Sequence, residues 1–284
     1  FEDFHWADGS SVSLLQPLLR LAERNPVLFL LTVRPEFPAA TEFLAASREQ
    51  HADRHRELHL EPLDQGAAEE MLENIFEKGN VSVAMRSLIE EKAAGNPFYI
   101  EEVVRSLIDQ GAVAWRESAL FTTERIEDVE IPGSIQEVVM TRIDQLPLVP
   151  KRVLGIAAVI GQASDPKVLA SVVDDEDFEA HLETLIAAQL LTRRRRRASV
   201  EIAFRHPLTQ VVSYDSLLEA RRKELHLDVG EAIEDILPES TPGLAGMLAY
   251  HFGLGEDPRA EPYLLQAGDE AARVAVTGQG RGDG

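Results

Sequence analysis

The spacing of apolar and polar residues at the start of the chain predicts an α/β arrangement. Residues 27–33 form a short apolar run rich in β-formers that ends before Pro35, which is typical of a buried parallel strand. Residues 10–24 carry leucines at helical spacing and predict a helix. Residues 57–63 alternate between apolar and polar side chains and predict a further strand. Residues 1–62 therefore predict the second half of an α/β core.

The two middle segments of the chain have the pattern of helices followed by hairpins. Within residues 63–130, three amphipathic helices are predicted before a small hairpin at residues 112–121. Residues 131–230 predict several helices and then a second hairpin, which together indicate a winged-helix domain. The helices of this segment are predicted at residues 134–145, 151–160, 165–173 and 178–190, and the hairpin starts at residue 191 and turns near residues 198–199.

Residues 231–284 predict two more helices, whose small residues permit close packing. A helical hairpin of this kind is similar to the opening repeat of a TPR-like array, which needs about three repeats for stability. The predicted fold class is therefore mainly α with an α/β part.

Composition narrows the possible partners. The 284 residues include 49 acidic and 28 basic side chains, and the resulting net charge of −21 argues against nonspecific binding to nucleic acid or anionic membranes. No apolar run reaches the roughly 20 residues of a membrane span, so no membrane partner is expected. The absence of cysteine excludes disulfides and cysteine-ligated zinc and favours a cytoplasmic location.

Candidate chemistry begins with Glu2 and Asp3, two adjacent carboxylates that precede His-Trp-Ala-Asp. Such a pair at the end of a strand is similar to a Walker B sequence, in which one carboxylate holds hydrated Mg²⁺ and its neighbour orients or deprotonates the attacking water. The alternative is an acidic turn in which Asp8 caps the following helix. No set of His, Asp and Glu around His5 has a convincing metal-ligand spacing, and His226 is expected on a solvated helix face.

Three further positions accompany the carboxylates. Arg34 follows the predicted strand and is expected on the same rim as Glu2 and Asp3, where it could contact a terminal phosphate; the alternative is a surface arginine before a proline turn. Gly95 and Pro97 lie in a Gly-Asn-Pro-Phe sequence between two predicted helices. One helix can end at the glycine and the next can start at the proline, which explains these two residues without any ligand.

Taken together, these sequences resemble the STAND-class signalling ATPases, AAA+-like P-loop proteins attached to class III adenylate/guanylate cyclases and LuxR-type regulators. The resemblance implies half of a P-loop core (residues 1–62), a helical lid (63–130), a winged helix (131–230) and the start of TPR-like repeats (231–284). It assigns Glu2 and Asp3 to Walker B, Arg34 to a phosphate sensor, and Gly95 and Pro97 to adenine packing. ATP or ADP with Mg²⁺ are the implied cofactors.

The resemblance also suggests that His206 reaches the β-phosphate of ADP, and the alternative is that His206 only caps the helix starting at Pro207. A phosphate-cradling Gly-x-x-x-x-Gly-Lys-Ser/Thr loop is absent, since no lysine here precedes serine or threonine. The chain is therefore expected to be a fragment whose upstream part is missing. Hydrolysis of ATP is expected in the full-length protein only, and the 284 residues alone are expected to be inactive.

The sequence thus predicts an ATP/ADP-dependent signalling switch that regulates an attached cyclase or transcription regulator. Nucleotide and proteins bound through the helical repeats are the expected partners, with nucleotide-dependent homo-oligomers as a further expectation. One alternative is a catalytically idle helical scaffold. Another is a DNA-binding winged-helix regulator, because residues 193–197 are five consecutive arginines that could follow a phosphate backbone. In a strand, consecutive arginines point to alternate faces and cannot all face one groove, and the acidic residues 174–177 are close in sequence. These features favour a solvated wing or an intramolecular contact with acidic residues, so nucleic acid is not the expected partner.

Overall fold

The computed structural model describes residues 1–76, 83–116, 119–123, 126, 129–196, 199–241 and 243–279. Arg197 and the first residue of the predicted turn at residues 198–199 lie outside these ranges. The chain divides into a first unit, residues 1–61 with residues 273–284, and a second unit, residues 62–272.

The first unit begins with helices around a small core. Asp8 initiates the first α-helix, because its carboxylate accepts a hydrogen bond of 2.7 Å from the backbone N–H of Ser11. The single helix predicted over residues 10–24 is interrupted at Arg20. The helices are α1 (Gly9–Leu19), α2 (Leu21–Arg24) and α3 (Pro38–Gln50), preceded by a 3₁₀ turn at Phe4–Trp6. Phe4, Leu15 and Phe43 form the buried centre.

Residues 27–33 are extended but do not form the predicted strand with two buried faces. The amino group of Phe1 donates to the carbonyl of Leu30 at 2.8 Å, and Thr32 N donates to the carbonyl of Phe1 at 3.0 Å. This is the hydrogen-bond pattern of a parallel bridge. Only the Phe29, Leu31 and Val33 side packs on the core, whereas Leu28 is 88% exposed. The prediction of a buried strand at residues 27–33 is therefore wrong, because among the described residues α1 and α3 supply core side chains to one face of this segment.

The alternating segment at residues 57–63 is also not a strand, which corrects the second strand prediction. Its backbone is extended, yet Leu58 and Leu60 are 87% and 96% exposed. Among the described residues, the backbone hydrogen bond that this segment makes runs from the N–H of Leu63 to the carbonyl of Gly95, at 2.8 Å. Alternating apolar and polar side chains do not make a strand where no neighbouring segment provides backbone hydrogen-bond partners.

The second unit contains helices and hairpins close to the predicted positions. Its first helices are α4 (Gln65–Ile75), α5 (Val83–Ala93) and α6 (Pro97–Asp109), followed by the antiparallel pair β1 (Val113–Arg116) and β2 (Ala119–Thr122). Residues from all three helices and both strands form one buried cluster, which includes Leu72, Ile89, Ile100, Val113 and Leu120. The prediction of three helices and a hairpin is confirmed for this stretch.

A second, larger cluster follows in the same unit. Its elements are α7 (Ile135–Asp144), α8 (Leu148–Ile160), β3 (Ala163–Ser164), α9 (Pro166–Val173), α10 (Phe178–Ala187), β4 (Leu191–Arg196), β5 (Ser199–Phe204) and α11 (Pro207–Asp215). The antiparallel sheet has the order β3-β5-β4. Leu154, Leu169, Leu185 and Phe204 lie at its centre, so helices and sheet share one core.

The last helices are α12 (Glu219–Ile236), α13 (Leu244–Leu254) and α14 (Ala260–Gln279). Val229, Leu248 and Phe252 belong to the larger cluster and bind α12 and α13 to it. Gly230 permits the close contact between these helices, because a Cβ at that position would meet the ring of Phe252 at 2.7 Å. The structure is therefore mainly helical with small antiparallel sheets.

Candidate nucleotide-binding site

The Gly-Asn-Pro-Phe sequence forms a turn between α5 and α6. Gly95 has a φ of 76°, which favours glycine, and a Cβ there would lie 2.5 Å from the carbonyl oxygen of Leu63 and 2.8 Å from Pro62 Cβ. The Asn96 side chain accepts from the backbone N–H of Phe98 at 3.0 Å, and Pro97 occupies the first turn of α6. The turn is thus fully used by local packing and capping before any ligand is considered.

His206 lies against this turn, although it comes far later in the chain. Its ring stacks on Phe98 with 3.6 Å between centroids and 12° between planes. Its Nδ1 accepts from the backbone N–H of Leu208 at 3.1 Å, so His206 does cap α11. The fold therefore brings His206 next to the Pro97–Phe98 turn.

The protonation of His206 follows from these contacts. Burial lowers the pKa of His206 below its ordinary value, while Glu102 and Glu101 act in the opposite direction. With Nδ1 accepting, the proton of the neutral ring is on Nε2. The capping role therefore leaves one N–H donor of the ring available.

A polar cleft of about 370 Å³ lies beside Gly95. Asp64, Glu90 and Glu91 line it, and burial followed by the charge of Glu69 raises the pKa of Glu90. Carboxylates repel phosphate groups, so this cleft does not suit the phosphates of a nucleotide.

In the first unit, the structure places Asp3 beside the extended segment that leads to Arg34. The backbone N–H of Asp3 donates to Thr32 Oγ1 at 2.9 Å, and Phe4 N donates to the carbonyl of Thr32 at 2.9 Å. Asp3 has a φ of 51°, and its side chain is 64% exposed. Glu2 and Arg34 are also exposed. Among the described residues, no hydrogen bond or ion pair joins Arg34 to either carboxylate.

His5 is the polar side chain buried beside these carboxylates. Neither ring nitrogen has a hydrogen-bond partner among the described residues, and Nε2 lies 3.9 Å from Asp3 Oδ1. The ring packs against Phe37 with 4.6 Å between centroids. The described residues contain no group of three or more His, Cys, Asp or Glu side chains that could bind a metal directly. Two exposed carboxylates fit Mg²⁺ that is held through water and phosphates.

The arginine strand has an internal acidic partner. Arg193 Nη2 lies 2.6 Å from Glu179 Oε2 and 2.9 Å from Glu183 Oε1, both on α10. This contact agrees with the intramolecular alternative for Arg193. Arg194 and Arg195 are exposed.

The structure corrects the expectation for His226 and reveals a second buried histidine. His226 and His251 are 1% and 3% exposed, and their Nδ1 atoms are 2.9 Å apart. Tyr214 Oη lies 3.0 Å from His226 Nε2. Burial lowers the pKa of each histidine to about 4, with further lowering by Arg222 at His226 and by His226 at His251. The available signal was the spacing of His226, Val229 and Ile233 on one face of α12.

Comparison with known proteins finds similarity to a family and to a relative. A family described as a domain of unknown function (DUF8739) matches residues 78–118, which include α5, α6 and β1. An uncharacterized protein, R02095, of Rhizobium meliloti (strain 1021) is 26% identical over 282 residues. The match covers 95% of this chain and 26% of that relative, so the chain spans about a quarter of the relative's length.

Among the described residues, no helix combines the length and the hydrophobicity that crossing a bilayer requires.

Proposed function

We propose that this chain is part of an ATP/ADP-dependent signalling switch of the STAND type. ADP holds the winged-helix segment against the lid helices through His206, and exchange for ATP releases it. Slow hydrolysis of ATP, with Mg²⁺ at Glu2 and Asp3, resets the switch. The switch acts in the cytoplasm on an attached output domain such as a cyclase or transcription regulator, and its ATP form exposes helical repeats to protein partners or to other copies.

The observation that carries this proposal is the stacking of His206 on Phe98. A switch needs one group that belongs to the moving element and yet lies at the nucleotide. His206 caps the start of α11, shortly after the end of β5, whereas Phe98 lies in the first turn of α6. A donor on Nε2 at this position suits a phosphate oxygen that is present in ADP.

Two further observations support the proposal. From α8 to β5 the chain forms a helix, a short strand, two helices and a hairpin, and this order is compatible with a winged-helix domain. In the first unit, the hydrogen bonds of Phe1, Asp3 and Phe4 align the carboxylates with the segment that ends at Arg34. Such an arrangement is compatible with a Walker B segment beside a sensor segment whose ends share one rim.

The proposal is tested by nucleotide binding in a protein that carries this chain together with a phosphate-binding loop. His206→Asn is the informative change, because asparagine is a good N-cap but lacks the ring that stacks on Phe98. We expect weaker ADP binding, by roughly 10-fold for one lost charge-assisted hydrogen bond, with ATP binding nearly unchanged. Calorimetric titration with ADP and with ATP measures both affinities. Equal loss of both affinities would reduce His206 to a helix cap.

The carboxylates and the adenine contact have separate tests in the same protein. Asp3→Asn should preserve nucleotide binding and slow hydrolysis, and the Glu2→Gln/Asp3→Asn double variant should slow it by about 10²-fold. Pro97→Ala should weaken ATP and ADP binding alike, since both nucleotides share the adenine. Unchanged hydrolysis in the double carboxylate variant would remove the Walker B assignment. The 284-residue chain alone should show no ATPase activity, because it lacks the loop that cradles the phosphates.

A further inference from the structure

An open cleft of about 410 Å³ lies in the second unit, among the end of α8, β3, α9, α12 and α13. Its volume is in the range of small-molecule sites. The walls are largely apolar and include Val168, Ile233, Leu237 and Met247. The cleft is separate from the Gly95–Pro97 turn, none of whose residues lines it.

Glycine keeps one wall of the cleft open. Gly246 lies inside α13, where glycine costs about 1 kcal/mol relative to alanine. A Cβ built on Gly246 would meet nothing within 4 Å, so no close packing among the described residues explains the glycine. A side chain at this position would project into free space beside Met247 and Tyr250.

The cleft also has a hydrogen-bonding group that the protein leaves unused. His251 lines the cleft, and its Nδ1 bonds to Nδ1 of His226, whose Nε2 in turn bonds to Tyr214. Nε2 of His251 makes no hydrogen bond with any described residue. In a neutral pair, one Nδ1 must donate and the other accept, and Tyr214 can take either role. Nε2 of His251 can therefore present a proton or a lone pair, depending on the direction of this chain of hydrogen bonds.

The charge of the lining restricts the ligand. Among the described residues that line the cleft, Asp165 is the acidic one and no lysine or arginine is present. An anionic ligand would therefore lack a cation and face a carboxylate. Burial keeps the histidine pair neutral near pH 7, so the imidazoles do not supply a positive charge either.

We propose that this cleft binds a small, uncharged molecule with an apolar body and one hydroxyl group, held by Nε2 of His251. A hydroxyl group suits this nitrogen because it both donates and accepts. The site is independent of nucleotide binding and does not rest on the proposed switch.

Titration of the 284-residue chain with 4-methylphenol, followed by the amide NMR shifts of α13, tests the proposal. 1,4-Dimethylbenzene is the matched probe, since a methyl group replaces the hydroxyl at nearly the same volume. We expect 4-methylphenol to bind with a dissociation constant of about 1 mM and about 5- to 10-fold more tightly than 1,4-dimethylbenzene. Absence of binding at 10 times that concentration would overturn the site. Equal affinity for the two probes would overturn the role of His251.

Two variants locate the binding. Gly246→Leu should fill the cleft and abolish the shifts, while Gly268→Leu should leave them unchanged. Gly268 is the matched control because it lies in α14, outside the cleft, and a Cβ there also meets nothing within 4 Å. His251→Phe should keep the apolar binding and lose the preference for the hydroxyl. Melting curves establish that each variant is folded, and full binding by a folded Gly246→Leu variant would refute the assignment.

Discussion

Replacement of Arg142 by methionine should strongly destabilise the second unit. Arg142 on α7 is 3% exposed and donates from Nη1 to Glu102 on α6 at 2.5 Å, where Glu102 is 2% exposed. Its Nε and Nη2 donate to Asp109 at 3.0 Å and to the carbonyl of Ala188 at 2.5 Å. Methionine fills a similar volume, but it leaves a buried carboxylate without its main partner.

The expected loss is about 3 kcal/mol of unfolding free energy. Removal of one partner from a buried ion pair costs about 3–5 kcal/mol. The lower end applies here because Arg105 Nη1 still donates to the other Glu102 oxygen at 2.8 Å. A loss of 3 kcal/mol lowers the folding equilibrium constant by roughly 100-fold.

Hydrogen exchange of the α6 and α7 amides is the appropriate assay, because a chain with two compact units need not unfold in one transition. Lys151→Met is the control: Lys151 pairs with Asp144 at 2.5 Å on the surface, and an exposed pair contributes about 0–1 kcal/mol. Arg142→Met/Glu102→Leu should recover part of the loss, since the buried carboxylate is removed together with its partner. A single variant within about 1 kcal/mol of the wild type, or a double variant that recovers nothing, would refute this reasoning.

Three other predictions concern stability. Gly95→Ala should destabilise the second unit by more than about 2 kcal/mol without nucleotide, because φ is positive at this residue and the added Cβ would lie 2.5 Å from the carbonyl oxygen of Leu63. Gly66→Ala should not, since its Cβ would meet its nearest atom at 3.6 Å. Urea titration compares the two variants. Stability should fall from pH 6.5 towards pH 4, because unfolded His226 and His251 bind protons that the folded pair excludes; melting temperatures against pH should become flatter in His226→Gln/His251→Gln. His5→Phe should stabilise the first unit by about 1 kcal/mol in exchange measurements, since two unpaired buried nitrogens are removed; a loss of stability would indicate a partner for the ring.

The helices were predictable because their signals are local. Asp8, Asn96 and Pro97 start helices by capping or fixed φ, and these effects depend on neighbours in sequence. The two strands predicted for the first unit were wrong, because the signals of a strand are not local in the same way. A strand needs a partner, and the apolar run at residues 27–33 indicates burial without showing how many faces are covered.

Tertiary packing also explains which site residues were foreseen. Gly95 and Pro97 follow from local turn chemistry, but the contact of Phe98 with His206 joins distant segments and leaves no periodic signal. The charged residues Arg221 and Glu224 suggested an exposed helix, whereas His226 is covered by side chains of α11 and α13. Helical periodicity identifies a buried face only when the residues on all sides of the helix are compared, and not from a few charged neighbours in sequence.

Local explanations of the candidate site do not by themselves oppose nucleotide binding. Gly95, Asn96, Pro97 and His206 each have a capping or packing role that is complete without a ligand. Such roles make the turn rigid, and a rigid turn is a better platform for a planar base than a mobile one. What capping does not require is the stacking of the His206 ring on Phe98, because asparagine or serine would cap α11 equally well. The ring itself, rather than the cap, is therefore the feature on which the switch proposal depends.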